Sequence, residues 1–263
     1  MRSRVAEPGS RPLAVVAGGT SGIGLAVAHK LARDGHDLII TGRDLERGRT
    51  AAEAVGSRSD AEARFLSLAS DDWDAYGELV GQVGDRAVDV LVASAAEGLQ
   101  AHLVDTGRTD FEQMLRVNVL APLFLVQTMR PKLAVPSSVI LISSDAGVDG
   151  EQAIGAYSVT KAALNMMGKM LALDLAPSGV RVNVVCPGDT LPGMRYLVRP
   201  GQTERPLEDY QSWTPPARGR IGTGEDTASL ISFLVSKEAD FILGVVVLVD
   251  GGSRAGRPDP EVA

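Results

Sequence analysis

The 263 residues are 44% hydrophobic and 22% charged, enough apolar material for one large domain with a real core. A net charge of −7 without a cluster of Lys and Arg argues against nucleic acid as a partner. One cysteine, Cys186, excludes an internal disulfide framework, no apolar run approaches the ~18 residues of a membrane span, and residues 1–12 lack the apolar core of a secretory signal, so a soluble cytoplasmic protein is expected.

Residues 1–11 read as a loose tail. Leu13-Ala14-Val15-Val16-Ala17 is then a short apolar strand, followed by Gly18-Gly19-Thr20-Ser21-Gly22-Ile23-Gly24 and a helical pattern through Leu25, Val27, Ala28 and Leu31. Strand, glycine loop, helix is the order a dinucleotide site needs, because glycines let the backbone approach a pyrophosphate and the free N–H groups of the helix start point positive charge at it. The second strand, Asp37 to Thr41, ends in Gly42-Arg43. An acid there would bond ribose hydroxyls. Gly42 instead leaves room, and Arg43 offers a fork of donors to a 2′-phosphate, which favours NADP over NAD. Asp44 reads as the N-cap of a helix from Leu45 to Val55.

Ala63 to Leu68 alternates as a third strand, Asp71 to Val83 reads as a helix, and Val88 to Val92 as a fourth strand leading into Ala93-Ser94-Ala95-Ala96. Thr109 with Glu112 has the form of a capping box, opening a helix that runs toward Pro131 with Asn118 in its middle. Asn competes for backbone bonds and is a poor interior residue, so it either bonds a buried carbonyl or serves the site. The fifth strand, through Val139-Ile140-Leu141-Ile142, delivers Ser143-Ser144, and a glycine-bearing loop leads into a helix from Ala156 to Ala176. On that helix Tyr157 and Lys161 lie one turn apart on one face. A neighbouring ammonium would draw the phenol's pKa down from about 10 toward neutrality. Val180 to Val185 is the sixth strand, ending in Cys186-Pro187-Gly188, where Cys186 reads as a packing residue.

Residues 191–219 contain five prolines and no clean period, the composition of a substrate lid, with Met194, Tyr196, Leu197 and Trp213 as candidate apolar contacts. A last helix, Thr227 to Val235, and a last strand, Val245 to Val249, close on Asp250-Gly251-Gly252, and residues 254–263 read as a second tail.

The Gly-x-x-x-Gly-x-Gly spacing, with Tyr157, Lys161, Ser144 and Asn118, resembles the classical short-chain dehydrogenase/reductase family over residues 12–253. The resemblance implies a single-domain Rossmann fold, α/β, with a doubly wound parallel sheet of about seven strands. It implies that Tyr157 protonates a carbonyl oxygen held by Ser144, that Lys161 assists, and that Asn118 holds a water chain. NADP(H) would be bound by Gly18, Thr20, Ser21, Gly22, Ile23, Gly24, Arg43, Ser67, Leu68, Ala93, Ser94, Ala95, Tyr157, Lys161, Pro187, Gly188 and Thr190; no metal is expected. The chain departs from the family at Ala17 for Thr, at Ser67 for Asp, at Ala93-Ser94-Ala95-Ala96 for Asn-Asn-Ala-Gly, and at Pro192 for Thr. The expected reaction is reduction of a small ketone, apolar or carrier-bound, or its reverse, by a homotetramer or homodimer. Two rivals stand: an enoyl-thioester reductase, whose Tyr usually stands where Ile154 is here, and a non-catalytic NADP-binding regulator.

Overall fold

The computed structural model describes residues 11–192 and 219–256. The candidate lid contacts Met194, Tyr196, Leu197 and Trp213 lie outside the described residues. Seven parallel strands form the central sheet: β1 (Leu13–Ala17), β2 (Asp37–Gly42), β3 (Ala63–Ser67), β4 (Val88–Ala93), β5 (Leu133–Ile142), β6 (Val180–Pro187) and, last in the sheet, β9 (Val246–Val249). Their spatial order is β3-β2-β1-β4-β5-β6-β9. β7 (Thr190–Leu191) and β8 (Gly222–Thr223) form a separate two-stranded pair.

The strands are apolar on both faces because helices cover both. Alternate residues divide between two cores. Val15, Ile39, Leu91, Leu141 and Val184 face one side, under α3 (Tyr76–Val83), α5 (Ala121–Met129) and α6 (Gly155–Leu175). Val16, Ile40, Val92, Ile140 and Val185 face the other, under α1 (Gly22–Arg33), α2 (Leu45–Ser57) and α7 (Gly224–Val235). The order reverses between β1 and β4, so their carboxyl ends open a crevice, the usual ligand position in this architecture.

Besides earlier starts for β5 at Leu133 and α7 at Gly224, three elements differ from the sequence reading. The helix expected from Asp71 begins at Tyr76, because the Asp71 carboxylate accepts from Gln113 Nε2 at 2.9 Å and Trp73 packs on the Phe124 ring instead of continuing a helix. α4 (Arg108–Leu115) has Gly107 as N-cap with no side-chain cap, and Glu112 pairs with Arg108 at 2.7 Å, so Thr109 forms no capping box. After α4 the chain makes a wide π turn, Arg116–Leu120, before α5. Asn118 sits inside it. Asp44 does cap α2, accepting from the Arg47 N–H at 2.9 Å.

Candidate active site

The glycine loop sits where β1 hands over to α1. Gly18 has φ +79°, and its N–H and that of Gly19 both bond the Thr41 carbonyl, at 3.0 and 3.1 Å. A Cβ on Gly24 would come within 2.2 Å of the Gly18 carbonyl oxygen, and one on Gly18 within 2.5 Å of the Ala95 nitrogen. The loop is thus pressed flat between α1 and the tip of β4. Ser21 is the N-cap of α1 but its hydroxyl caps nothing, and the first N–H groups of the helix, beginning with Gly22 and Ile23, lack helical acceptors. In front of Gly22 a Cβ would meet nothing nearer than the Pro192 carbonyl at 3.9 Å. The result is a backbone cradle fit for an anion.

At the crevice's outer edge, Gly42 leaves room for the Thr20 side chain, which would lie 2.6 Å from a Cβ there. Arg43 follows, exposed and, among the described residues, without a side-chain partner. Ser67 donates to the Arg43 carbonyl at 3.4 Å and the Leu68 N–H bonds the Gly42 carbonyl at 2.9 Å, so all four line one edge. Ala93, Ser94 and Ala95 hold the neighbouring position through backbone, with the Ser94 N–H bonding the Ala17 carbonyl at 2.8 Å.

Tyr157 and Ser144 are hydrogen-bonded to each other at the carboxyl end of β5. Tyr157 rests on a small cluster with Leu99, Met114, Ala146, Ile154 and Ala156. Lys161, only 1% exposed, donates from Nζ to the Ile142 carbonyl at 3.0 Å and lies 5.4 Å from the Tyr157 ring centre. A Cβ on Gly147 would meet the Lys161 backbone at 2.7 Å, so the loop after β5 lies directly on α6 at this turn.

The expected depression of the phenol is not what this environment produces. Burial pushes the Tyr157 pKa up; the Ser144 bond offsets part of that, while Asp145, Glu151 and Cys186 add to it. Lys161 is instead pushed down, to about 8, again by burial. Tyr157 therefore holds a proton at neutral pH, the state of a general acid.

Asn118 is fully buried, and its bonds run to Glu97 and Thr160. Its Oδ1 accepts from the Glu97 N–H at 2.8 Å, and Nδ2 donates to the Glu97 carbonyl at 2.7 Å and to Thr160 Oγ1 at 2.9 Å. The buried-carbonyl alternative is the one its bonds match: Asn118 ties the segment after β4 to α6. Pro187 ends β6, the N–H of the following Gly188 bonds the Val249 carbonyl at 3.0 Å, and Thr190 turns its hydroxyl back to the Gly188 carbonyl at 2.8 Å. Cys186 is buried, with its thiol against Asn165 Oδ1 at 3.5 Å and its pKa pushed up to about 11 by burial, in keeping with packing.

Sequence reading missed the acids beside Ser144. Asp145, Glu151 and Asp189 are each pushed upward, chiefly by burial. Arg254 bridges Asp145 at 3.2 Å, Glu151 at closer range and Asp149 at 3.8 Å. No local pattern announces a pairing across so much sequence.

A family model described as "Enoyl-(Acyl carrier protein) reductase" matches residues 17–254. L-2,3-butanediol dehydrogenase of Corynebacterium glutamicum is 32% identical over 253 residues, covering 91% of this chain and 97% of that one. The chain belongs to the short-chain dehydrogenase/reductase family. Among further short-chain dehydrogenase/reductase relatives, NADP-dependent (R)-specific alcohol dehydrogenase of Lentilactobacillus kefiri is 32% identical, covering 92% of this chain and 96% of its own. 3-oxoacyl-(acyl-carrier-protein) reductase FabG of Aquifex aeolicus is 32% identical, covering 91% and 96%. A solved structure described as a short chain dehydrogenase/reductase family protein superposes with a TM-score of 0.79 at 33% identity, covering 93% of this chain and 98% of that one. Short-chain dehydrogenase/reductases use a nicotinamide cofactor, and the flattened glycine loop with its open helix start fits one. Among the described residues, no helix is long and apolar enough to cross a membrane.

Proposed function

We propose that this oxidoreductase is an NADP(H)-dependent ketoreductase in which Tyr157 is the general acid. The observation that carries the reading is the buried Tyr157 phenol, bonded to Ser144 beside the carboxyl end of β5 and one helical turn from Lys161. Gly18, Thr20, Ser21, Gly22, Ile23 and Gly24 would hold the cofactor's pyrophosphate, Arg43 its 2′-phosphate, Ser67 and Leu68 its adenine side, Ala93, Ser94 and Ala95 its ribose, and Tyr157, Lys161, Pro187, Gly188 and Thr190 its nicotinamide half. The bound cofactor supplies the hydride. Ser144 holds the carbonyl oxygen, Tyr157 gives that oxygen its proton, and the Lys161 ammonium favours the phenolate left behind. The unpartnered Arg43 supports NADP(H) over NAD(H).

An apolar or carrier-bound ketone is the substrate class, in keeping with the alcohol dehydrogenase and 3-oxoacyl reductase relatives. The second reading, reduction of an enoyl thioester, has the description of the matching family model in its favour. Against it, Ile154 occupies the alternative tyrosine position and is packed into the apolar cluster under Tyr157.

The test is NADPH consumption against a panel of ketones, β-ketoacyl thioesters and enoyl thioesters, with Tyr157→Phe alongside. A ketone should be turned over, and the variant should lose about 10²–10⁴-fold in rate while still binding NADPH. Turnover of enoyl thioesters alone would exchange the two readings.

A further inference from the structure

Ser144 has one hydroxyl proton, and the acceptor that takes it sets the direction of the whole group. Ser144 Oγ donates to Asp145 Oδ1 at 3.1 Å and accepts from the Ala146 N–H at 3.2 Å. Asp145 divides its oxygens. Oδ1 faces Ser144 and the Ala146 N–H, the latter at 2.9 Å, while Oδ2 accepts from Arg254 Nε at 3.2 Å. Arg254 is itself fixed: its N–H bonds Asp250 Oδ2 at 2.8 Å and the Gly252 N–H bonds Asp250 Oδ1 at 3.0 Å, directly after β9. A turn anchored to the sheet edge therefore holds a guanidinium against the residue that follows the serine.

We propose that Asp145 and Arg254 are a positioning pair for Ser144: Asp145 fixes the direction of the serine hydroxyl, and Arg254 sets how firmly Asp145 holds it. This deepens the ketoreductase reading and rests on it. With its hydrogen on Asp145, Ser144 presents its oxygen to the Tyr157 proton. An entering carbonyl oxygen must draw that hydrogen away, and a carboxylate that shares its charge with Arg254 yields it more readily than an unpaired one. The titratable and charged groups around Asp145 are Asp149 and Glu151 on its own loop, Tyr157 and Lys161 on α6, Cys186 and Asp189 at the end of β6, and Asp250 and Arg254 from the last turn. Arg254 is the cation bonded to it.

Arg254→Gln and Asp145→Asn, singly and together, with Ser144→Ala for reference, test the pair in two ways. In ketone reduction, Arg254→Gln lowers kcat about tenfold with KM and NADPH affinity unchanged, the loss expected for one charge-assisted contact. It also moves the acidic limb of the pH profile upward, because a buried carboxylate without its cation ionises at higher pH. Asp145→Asn keeps an acceptor oxygen and part of the rate, has no such limb, and is not slowed further by Arg254→Gln. The second readout needs no turnover: carboxyl-carbon NMR titration of Asp145, assigned by its absence in Asp145→Asn. Its midpoint rises in both Arg254→Gln and Ser144→Ala, since each removes a donor to the ionised carboxylate. A wild-type rate in Arg254→Gln, or an unmoved Asp145 midpoint in either variant, overturns the proposal. Shifted midpoints in a protein that reduces no ketone uphold the pair and remove the ketoreductase reading instead.

Discussion

The ammonium of Lys161 lies 5.4 Å from the centre of the Tyr157 ring, yet its hydrogen bond runs away from the phenol, to the Ile142 carbonyl at 3.0 Å. Both side chains are held in a nearly dry layer between α6 and β5, and burial dominates the behaviour of each. The cation costs stability where it stands. Its folded pKa of about 8 lies below the ordinary lysine value, so the unfolded chain binds more protons between the two, and stability rises with pH across that window. Below about pH 8 the penalty is complete.

Lys161→Met should therefore raise the unfolding free energy near pH 7 by about 2 kcal/mol, with the gain fading as pH approaches ~10, while reductase activity collapses. Chemical denaturation at several pH values checks this. A variant less stable than wild type at pH 7 would show that the bond to Ile142 outweighs the desolvation of the charge.

Arg43→Ala should weaken NADPH binding by about 1.5–3 kcal/mol, the scale of hydrogen bonds to charged groups, and leave NADH binding nearly unchanged. Titration with both cofactors by fluorescence reads the difference. Equal losses for the two would place Arg43 outside the 2′-phosphate site.

Gly24→Ala puts a Cβ 2.2 Å from the Gly18 carbonyl oxygen, a backbone atom that cannot swing aside. The loop must lift off α1. A stability loss of about 1–3 kcal/mol, the usual scale of overpacking, is expected together with loss of dinucleotide binding. A thermal melt and a cofactor titration of the one variant suffice, and native values in both would contradict the close approach.

α6 exposes Val159, Met166, Met170 and Leu173 along its outer side, an apolar stripe on the helix that carries Tyr157. A second copy of the chain is the proposed cover, within a dimer or tetramer. Met166→Asp with Leu173→Asp should reduce the mass measured by light scattering to that of a smaller assembly, and an unchanged mass would send the interface elsewhere.

Where a pattern is local, it was legible. β1, β2 and β4 are apolar runs because both faces are buried, and the glycine spacing after β1 follows from the flattened turn itself. The helix period put Tyr157 and Lys161 on one face, but their roles came only from the resemblance that the glycine spacing, Ser144 and Asn118 complete. What the sequence concealed depends on contacts distant in the chain. The direction of the Tyr157 shift is set by how deeply α6 is buried. α4 starts at Arg108 after Gly107, and Glu112 pairs with Arg108 instead of closing a Thr109 box. Asp145 meets Arg254 across a separation of 109 residues, from a segment whose composition reads as a tail.

The wide turn at Arg116–Leu120 changes what the rod from Arg108 to Met129 can do. One extra residue in a helix swings everything beyond it by about 100°. Met114, before the turn, looks toward Ile154 and Tyr157, while Leu125 and Met129, beyond it, look at the sheet. A uniform helix would bring Met114 and Leu125 nearly into phase. The change of phase lets one continuous element act as both floor under Tyr157 and wall of the main core, and Asn118, at the place where the two halves part, ties it to the segment after β4 through Glu97 and to α6 through Thr160.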